Sequence, residues 1–256
     1  MTRVLVTGAS TGLGLMAAQL LFEQGHEAVL HARSEARAAE TRKELGRGAE
    51  VVLGDLSDLA GMRAVAAQAN KLGRFDAVIH NAGLGNRDPR SETADGLMSV
   101  FAVNTLAPYV LTALMQKPGR LVFLSSGMHR NVTPRFDDLN WTQRAWASRT
   151  AYSESKLYDM MLAFAIARRW PGVLSNAVEP GWVQTRMGGP EATDDLDQGH
   201  RTQVWLAVSD DPAARVSGRG FYHLHARPPN PASLDIAAQD RLLEICAELS
   251  GVALPP

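Results

Sequence analysis

Short apolar runs alternate with helix-forming segments along the whole of this 256-residue chain. Val4-Leu5-Val6-Thr7 is followed by apolar residues at helical spacing from Leu15 to Gln24, which stop at Gly25. Ala28-Val29-Leu30 precedes a polar helix-forming stretch from Ser34 to Leu45. Val51-Val52-Leu53 precedes a helical pattern from Asp58 to Leu72. Ala77-Val78-Ile79 leads to a long amphipathic segment, Ala94 to Met115, ended by Pro118-Gly119. Leu121 to Leu124 comes before the helix expected from Thr150 to Arg169, which Pro171-Gly172 stops. Val173 to Val178, a helix near Leu196 to Val208 and a strand at Gly220 to His223 follow. A terminal helix near Leu234 to Leu249, with Ser233 as its N-cap, closes the series. Strands this short and continuously apolar are buried on both faces, which predicts a parallel sheet covered by helices on both sides. Such a doubly wound α/β (Rossmann) fold takes its ligand at the carboxyl ends of the strands. No repeat or linker interrupts the pattern, and Arg227-Pro-Pro-Asn-Pro231 reads as a turn, so residues 1–256 are expected to form one domain.

Composition narrows the function classes. A net charge of −1 gives no general attraction to nucleic acid or to a membrane surface. No run of about 18 apolar residues is present, so no transmembrane span is expected, and no basic-then-apolar leader opens the chain. Cys246 is the only cysteine, which rules out an intrachain disulfide and allows a reducing compartment. A cytoplasmic protein acting on a small molecule, without a resident metal, is the expectation.

The chemistry is carried by two segments. Thr7-Gly8-Ala9-Ser10-Thr11-Gly12-Leu13-Gly14 stands where the first strand turns into the first helix. Gly8 permits the tight turn, while Gly12 and Gly14 let backbone approach a pyrophosphate that faces the helix N-terminus. The second segment is Tyr152-Ser153-Glu154-Ser155-Lys156, which places a phenol and an ammonium one turn apart on one helix face. Tyrosine ordinarily ionises near ~10. A neighbouring ammonium favours the phenolate, so Lys156 is placed to make Tyr152 a usable proton donor and acceptor. Of the four lysines, at 43, 71, 117 and 156, only Lys156 sits in such a context.

In dinucleotide folds an acidic residue at the end of the second strand accepts from the ribose 2′-hydroxyl of NAD. Ala32 occupies that position here and Arg33 follows, with Glu35 nearby. A guanidinium suits a 2′-phosphate, so NADP(H) is favoured over NAD(H).

The T-G-x-x-x-G-x-G spacing, followed in order by further segments, resembles the short-chain dehydrogenase/reductase family. Asp55-Leu56 resembles its adenine contact, Asn81-Ala82-Gly83 its N-A-G signature, and Pro180-Gly181 with Val183 and Thr185 the segment that holds the nicotinamide amide. The resemblance implies that Gly8, Ser10, Thr11, Gly12, Leu13, Gly14 and Arg33 also bind the cofactor, and that Lys156 reaches its ribose. It further implies a catalytic set of Asn104, Ser126, Tyr152 and Lys156, with Ser125 as the fallback for the serine. In the family the serine polarises the carbonyl, and the asparagine holds a water that links the lysine to solvent. His80 stands where relatives usually carry a second Asn, and is read as structural. Glu179 stands where they carry a neutral residue or His, and is read as a carboxylate solvated or paired at a strand end.

Ser126 and Tyr152 lie 26 positions apart, beyond the commonest spacing in the family. The extra segment, residues 127–149, contains His129 and Phe136-Asp-Asp-Leu-Asn-Trp141. With Ser155-Lys156-Leu157, Gly199 to Thr202, Trp205-Leu206-Ala207 and Ser217-Gly218, it resembles the retinol dehydrogenase-like branch. The branch implies an insertion over the active-site mouth, where Trp141, Trp146 and Trp182 could wall an apolar pocket. Two-fold packing through the helices at 94–115 and 150–169 is usual in the family, so a homo-oligomer is compatible with this reading. The function implied is interconversion of an alcohol and a carbonyl on an apolar small molecule. The alternatives are an epimerase or dehydratase of the extended branch, and a regulator that senses NADP(H) without turnover.

Overall fold

The computed structural model describes residues 1–46, 49–86 and 89–256. Its strands are β1 (Arg3–Val6), β2 (Glu27–Ala32), β3 (Val51–Leu53), β4 (Ala77–His80), β5 (Arg120–Leu124), β6 (Leu174–Glu179), β7 (Gly220–Tyr222) and β8 (His225–Ala226). They form one sheet in the order β3-β2-β1-β4-β5-β6-β7-β8. All neighbouring pairs are parallel except β7 and β8, which form an antiparallel hairpin. The strand order reverses between β1 and β4, which opens the crevice where such folds bind ligands.

Helices α1 (Gly12–Glu23), α2 (Glu35–Leu45), α3 (Leu59–Lys71), α6 (Ser148–Arg169), α7 (Gln198–Val208) and α8 (Ile236–Ser250) lie close to the expected positions. Ser34 and Asp58 cap α2 and α3 by accepting from backbone amides of the first turn. Asp235, not Ser233, caps the last helix, accepting from Ala237 and Ala238 N–H. Ser233 instead lies in a 3-10 turn, Pro231–Leu234, and donates to the Asn230 carbonyl.

The expected helix at 94–115 is built differently. It starts at Ser99 and runs as α4 (Ser99–Phe101), a π-turn (Ala102–Leu106) and α5 (Ala107–Leu114). Residues 94–98 belong to the preceding turn, where Glu92 and Met98 form an antiparallel bridge. Pro108 sits near the start of α5, where the missing N–H costs little.

Two apolar layers sandwich the sheet. One joins Leu5, Val29, Phe101, Leu111, Phe123, Leu157 and Leu162; the other joins Val4, Val6, Leu21, Leu30, Ile79, Val122 and Phe221. Every α6 residue from Ser153 to Ile166 is buried, as is α5 from Ala107 to Thr112. This chain's own α8 and tail cover them. Tyr109 Oη donates to the Val252 carbonyl at 2.8 Å, and Trp170 Nε1 donates to the Pro255 carbonyl at 2.9 Å. The faces expected to pair in a dimer are therefore occupied from within. Among the described residues, no helix is long and apolar enough to cross a membrane.

Candidate active site

The glycine turn is shaped by close approaches that only glycine allows. Gly8 and Gly12 have φ of 65° and 57°, in the left-handed region. A Cβ on Gly8 would fall 2.7 Å from Ala82 Cα, and one on Gly14 would fall 2.4 Å from Asn81 Nδ2. The Asn81-Ala82-Gly83 turn is thus stitched to the glycine turn. Thr7 Oγ1 accepts from Asn81 N–H at 2.9 Å and Ala82 N–H at 3.0 Å, while Asn81 Nδ2 donates to the Thr7 and Gly8 carbonyls. Thr11 occupies the N-cap of α1, yet its side chain makes no cap bond. The first-turn amides remain available to an anion, and the cradle fits a dinucleotide pyrophosphate.

His31 in β2 completes this corner, and the sequence reading missed it. Its Nδ1 accepts from Gly8 N–H at 3.1 Å and its Nε2 donates to the Gly54 carbonyl at 2.8 Å. Those bonds define a neutral imidazole, and burial lowers its pKa from the ordinary value in agreement. A lone histidine in an apolar strand offered no signal of this role.

Ala32 is buried at the end of β2, and Arg33 beyond it is exposed. Among the described residues no ion pair or hydrogen bond engages the Arg33 side chain. Glu35 leans instead toward Arg42 on its own helix, 3.9 Å away. Asp55 is exposed and accepts from Ser57 N–H at 2.9 Å, while Leu56 is buried. At the far end of the cleft, the loop after β6 folds over the glycine turn. A Cβ on Gly12 would meet Thr185 at 3.7 Å, and one on Gly199 would meet Leu13 and Val183. Gly181 has φ of 90°, and Val183 is buried.

Tyr152, Lys156, Asn104 and Ser126, the expected catalytic set, lie on α6, the π-turn and the end of β5. Lys156 is buried; its Nζ donates to the Leu124 carbonyl at 2.7 Å and to Asp159 Oδ2 at 2.8 Å. The same nitrogen lies 5.8 Å from the centre of the half-buried Tyr152 ring. Burial works to lower the Lys156 pKa, but the charges of Asp159 and Tyr152 outweigh it and hold the ammonium above the ordinary lysine value. A Cβ on Gly83 would stand 3.6 Å from Lys156 Nζ and 3.4 Å from Asn104 Oδ1, so the three segments meet there.

Asn104 sits in the π-turn, a feature that often marks functional sites. Its side chain is fully committed to protein partners. Oδ1 accepts from Leu84 N–H at 2.7 Å, and Nδ2 donates to the Leu84 carbonyl and to Ser155 Oγ. It ties the π-turn to the strand-end loop and to α6.

Ser126 follows β5, is half-buried, and accepts from Met128 N–H at 3.3 Å through its hydroxyl. Ser125 is buried and donates to the Lys156 carbonyl at 2.7 Å, a structural commitment that removes it as the fallback. His129 is buried. Its Nδ1 donates to the Ser126 carbonyl at 2.6 Å and its Nε2 accepts from Asn230 N–H at 3.2 Å, so it fixes the serine loop as a neutral ring. Glu179 is paired at the strand end. It is buried, ion-paired with Arg130, and 3.3 Å from Arg227.

The insertion is clamped to α6. Arg144 makes a bidentate pair with Glu154 at 2.7 and 2.9 Å, and its guanidinium lies 3.7 Å from the Trp141 ring centre. Trp141 and Trp146 meet edge to face at 5.5 Å and pack into the core rather than walling a pocket. Trp182 alone of the three is exposed, and its indole donates to the Gly188 carbonyl at 2.9 Å. The insertion does border an open cavity of about 480 Å³, whose lining carries the charged side chains of Arg130, Arg135, Arg144 and Glu154. Among the described residues no cluster of His, Cys, Asp or Glu could hold a metal ion.

Comparison with known proteins agrees with this geometry. The short chain dehydrogenase family profile matches residues 2–196. An uncharacterised oxidoreductase of Emericella nidulans is 42% identical over 260 residues, spanning 100% of this chain and 99% of its own. Human retinol dehydrogenase 13 is 32% identical over 284 residues, spanning 98% of this chain and 85% of its own. The crystal structure of an uncharacterised protein from Mycobacterium paratuberculosis superposes with a TM-score of 0.87 at 25% identity, covering 100% of this chain and 96% of that one. The chain belongs to the short-chain dehydrogenase family of oxidoreductases, with retinol dehydrogenases among its relatives.

Proposed function

We propose that this protein is a single-domain, NADP(H)-dependent oxidoreductase that interconverts an alcohol and a carbonyl on an apolar small molecule. The carrying observation is the buried Lys156 ammonium, 5.8 Å from the Tyr152 ring. A nicotinamide bound in the cleft supplies or takes the hydride. Tyr152 protonates the carbonyl oxygen in reduction and removes the hydroxyl proton in oxidation. Ser126 hydrogen-bonds the same oxygen and stabilises charge that develops on it. Lys156 holds positive charge beside the phenol throughout and reaches for the cofactor ribose. Asn104 keeps the loop after β4 and α6 in register through Leu84 and Ser155.

Cofactor preference rests on Arg33, whose guanidinium has no protein partner among the described residues and follows a strand that ends in Ala32. Gly8, Ser10, Thr11, Gly12, Leu13 and Gly14 cradle the pyrophosphate. Asp55 and Leu56 border the adenine, Asn81, Ala82 and Gly83 the adjacent ribose, and Pro180, Gly181, Val183 and Thr185 the nicotinamide amide. Pairing of two copies through α5 and α6 is disfavoured, because α8 and the insertion cover those helices. The decisive assay follows NADPH consumption by the purified protein over a panel of apolar aldehydes and ketones. Turnover of at least one class is expected. Tight NADPH binding with no turnover across the panel would support a cofactor sensor instead.

A further inference from the structure

Asp159 is buried, follows Lys156 by one helical turn, and belongs to no motif that the sequence reading used. Its Oδ2 receives one N–H of the Lys156 ammonium at 2.8 Å, and the Leu124 carbonyl receives another at 2.7 Å. An ammonium has three N–H donors. With two held by the protein, one is left to face the cleft where Gly83 and Asn104 meet. Asp159 Oδ1 has no hydrogen-bond partner among the described residues. A buried carboxylate satisfied on one side only is costly, and its one partner is the Lys156 ammonium.

We propose that Asp159 is a positioning residue for the Tyr152–Lys156 pair: it anchors the ammonium against the Leu124 carbonyl and, by neutralising part of its charge, sets the pH range in which the pair acts. This rests on the proton-handling role given to Tyr152 and Lys156 above. The titratable groups acting on Lys156 are Asp159 and Tyr152, both on α6. β5 contributes the Leu124 carbonyl and the π-turn the Asn104 amide, neither of which titrates. His80, on β4, is turned to Thr112 and kept neutral by burial. Lys156 is the titratable group that acts on Asp159. Burial pushes the Asp159 carboxyl up, to about 7, against the pull of that ammonium. Above this pH the carboxylate offsets the ammonium felt by the phenol; below it the proton on Asp159 removes the offset.

Asp159→Asn removes the offset at every pH while keeping shape and one acceptor. The expected result is that the pH profile of alcohol oxidation moves acidward by roughly one unit, and that the variant and wild-type profiles converge below about pH 7. Superimposable profiles, or an alkaline shift, would overturn the proposal.

A second measurement needs neither a folded variant nor a substrate. The chain has four lysines, and those at 43, 71 and 117 are exposed. In the wild-type protein labelled with [13Cε]lysine, the Lys156 resonance should keep its ammonium shift to higher pH than the other three. A Lys156 that titrates with them or before them would overturn the pairing. Because that readout is independent of turnover, its failure is separable from failure of the enzymatic reading, which Tyr152→Phe tests.

Discussion

The two ends of the cleft, around Lys156 and around Arg33, are built on opposite principles. At the end around Lys156, Lys156, Asn104, Ser125 and Asp159 are buried, and nearly every one of their polar side-chain atoms has a protein partner before any ligand arrives. At the other end, Arg33 and Asp55 are exposed, and the Arg33 side chain has no protein partner among the described residues. Chemistry that depends on where a proton sits gains from groups fixed in advance. Discrimination between two cofactors that differ by one phosphate can be left to a solvated guanidinium that the ligand itself orders, at some cost in side-chain entropy. The buried end should therefore respond steeply to substitution and to pH, and the exposed end gently and selectively.

The strongest test of that contrast is Tyr152→Phe, which keeps the ring and removes the ionisable group. A loss of about 10²–10⁴ in kcat is expected, with NADPH affinity largely kept in a fluorescence titration. Near wild-type turnover would remove Tyr152 from the mechanism.

Next comes the acid response. Burial lowers the His80 pKa to about 3 in the folded protein. The unfolded chain takes up this proton first as pH falls, so the stability that neutral His80 allows is complete above about pH 6.5 and is lost between there and about 3. The slope is at most about 1.4 kcal/mol per pH unit for one group. His31, His129 and His200 are shifted in the same direction and add to it. In His80→Asn, urea unfolding between about pH 4 and about pH 6.5 should show a slope smaller by about one proton. An unchanged slope would mean that the acid sensitivity lies in the other histidines.

At the exposed end, Arg33→Ala should weaken NADPH roughly tenfold to a hundredfold, the worth of about 1.5–3 kcal/mol for a charge-assisted bond. NADH should be nearly unaffected, and Ala32→Asp should shift preference toward NADH. Dissociation constants for both cofactors measure this. Equal wild-type affinity for the two would assign the preference to something other than Arg33.

The smallest effect is expected at Trp182, the exposed tryptophan after Gly181. Trp182→Ala should raise KM for bulky apolar substrates by roughly fivefold to thirtyfold, from about 1–2 kcal/mol of lost apolar contact. Small substrates should change less, and an equal change for both would place Trp182 outside the substrate's reach.

Much of this was legible in the chain. Continuous apolar strands gave the parallel sheet because burial on both faces leaves no polar alternation to hide it. The glycine turn, Asn81-Ala82-Gly83 and Tyr152 to Lys156 were readable because their chemistry depends on fixed local spacing. What escaped depends on contacts distant in sequence or on unusual backbone. The π-turn around Asn104 is held by Leu84 and Ser155, which no helical periodicity records. The β7–β8 hairpin turns through His223 and Leu224 at φ of 45° and 68°, where an Asn-Gly pair would have announced it. Trp141 and Trp146 were readable as aromatic, but their packing against each other and the core, with Arg144 over Trp141, is recorded by no motif. Asp159 was the one omission with an available signal, since an acid three residues after Lys156 shares its helix face.

The clamp on the insertion has a consequence for recombination among relatives. Its fastenings lie in different parts of the chain, among them residues 90–98, which Asn140 engages. Arg144 grips Glu154 on α6, while Asn230, in the proline-rich segment, donates through its side-chain amide to the His129 and Val132 carbonyls at 2.8 and 2.7 Å. Residues 127–149 are therefore not a cassette. A chimera that imports this segment from a relative should also carry across residues 228–233, the partner of Arg144 and the turn that Asn140 engages; otherwise the graft keeps its length and loses its moorings, and the Ser126 loop drifts with it.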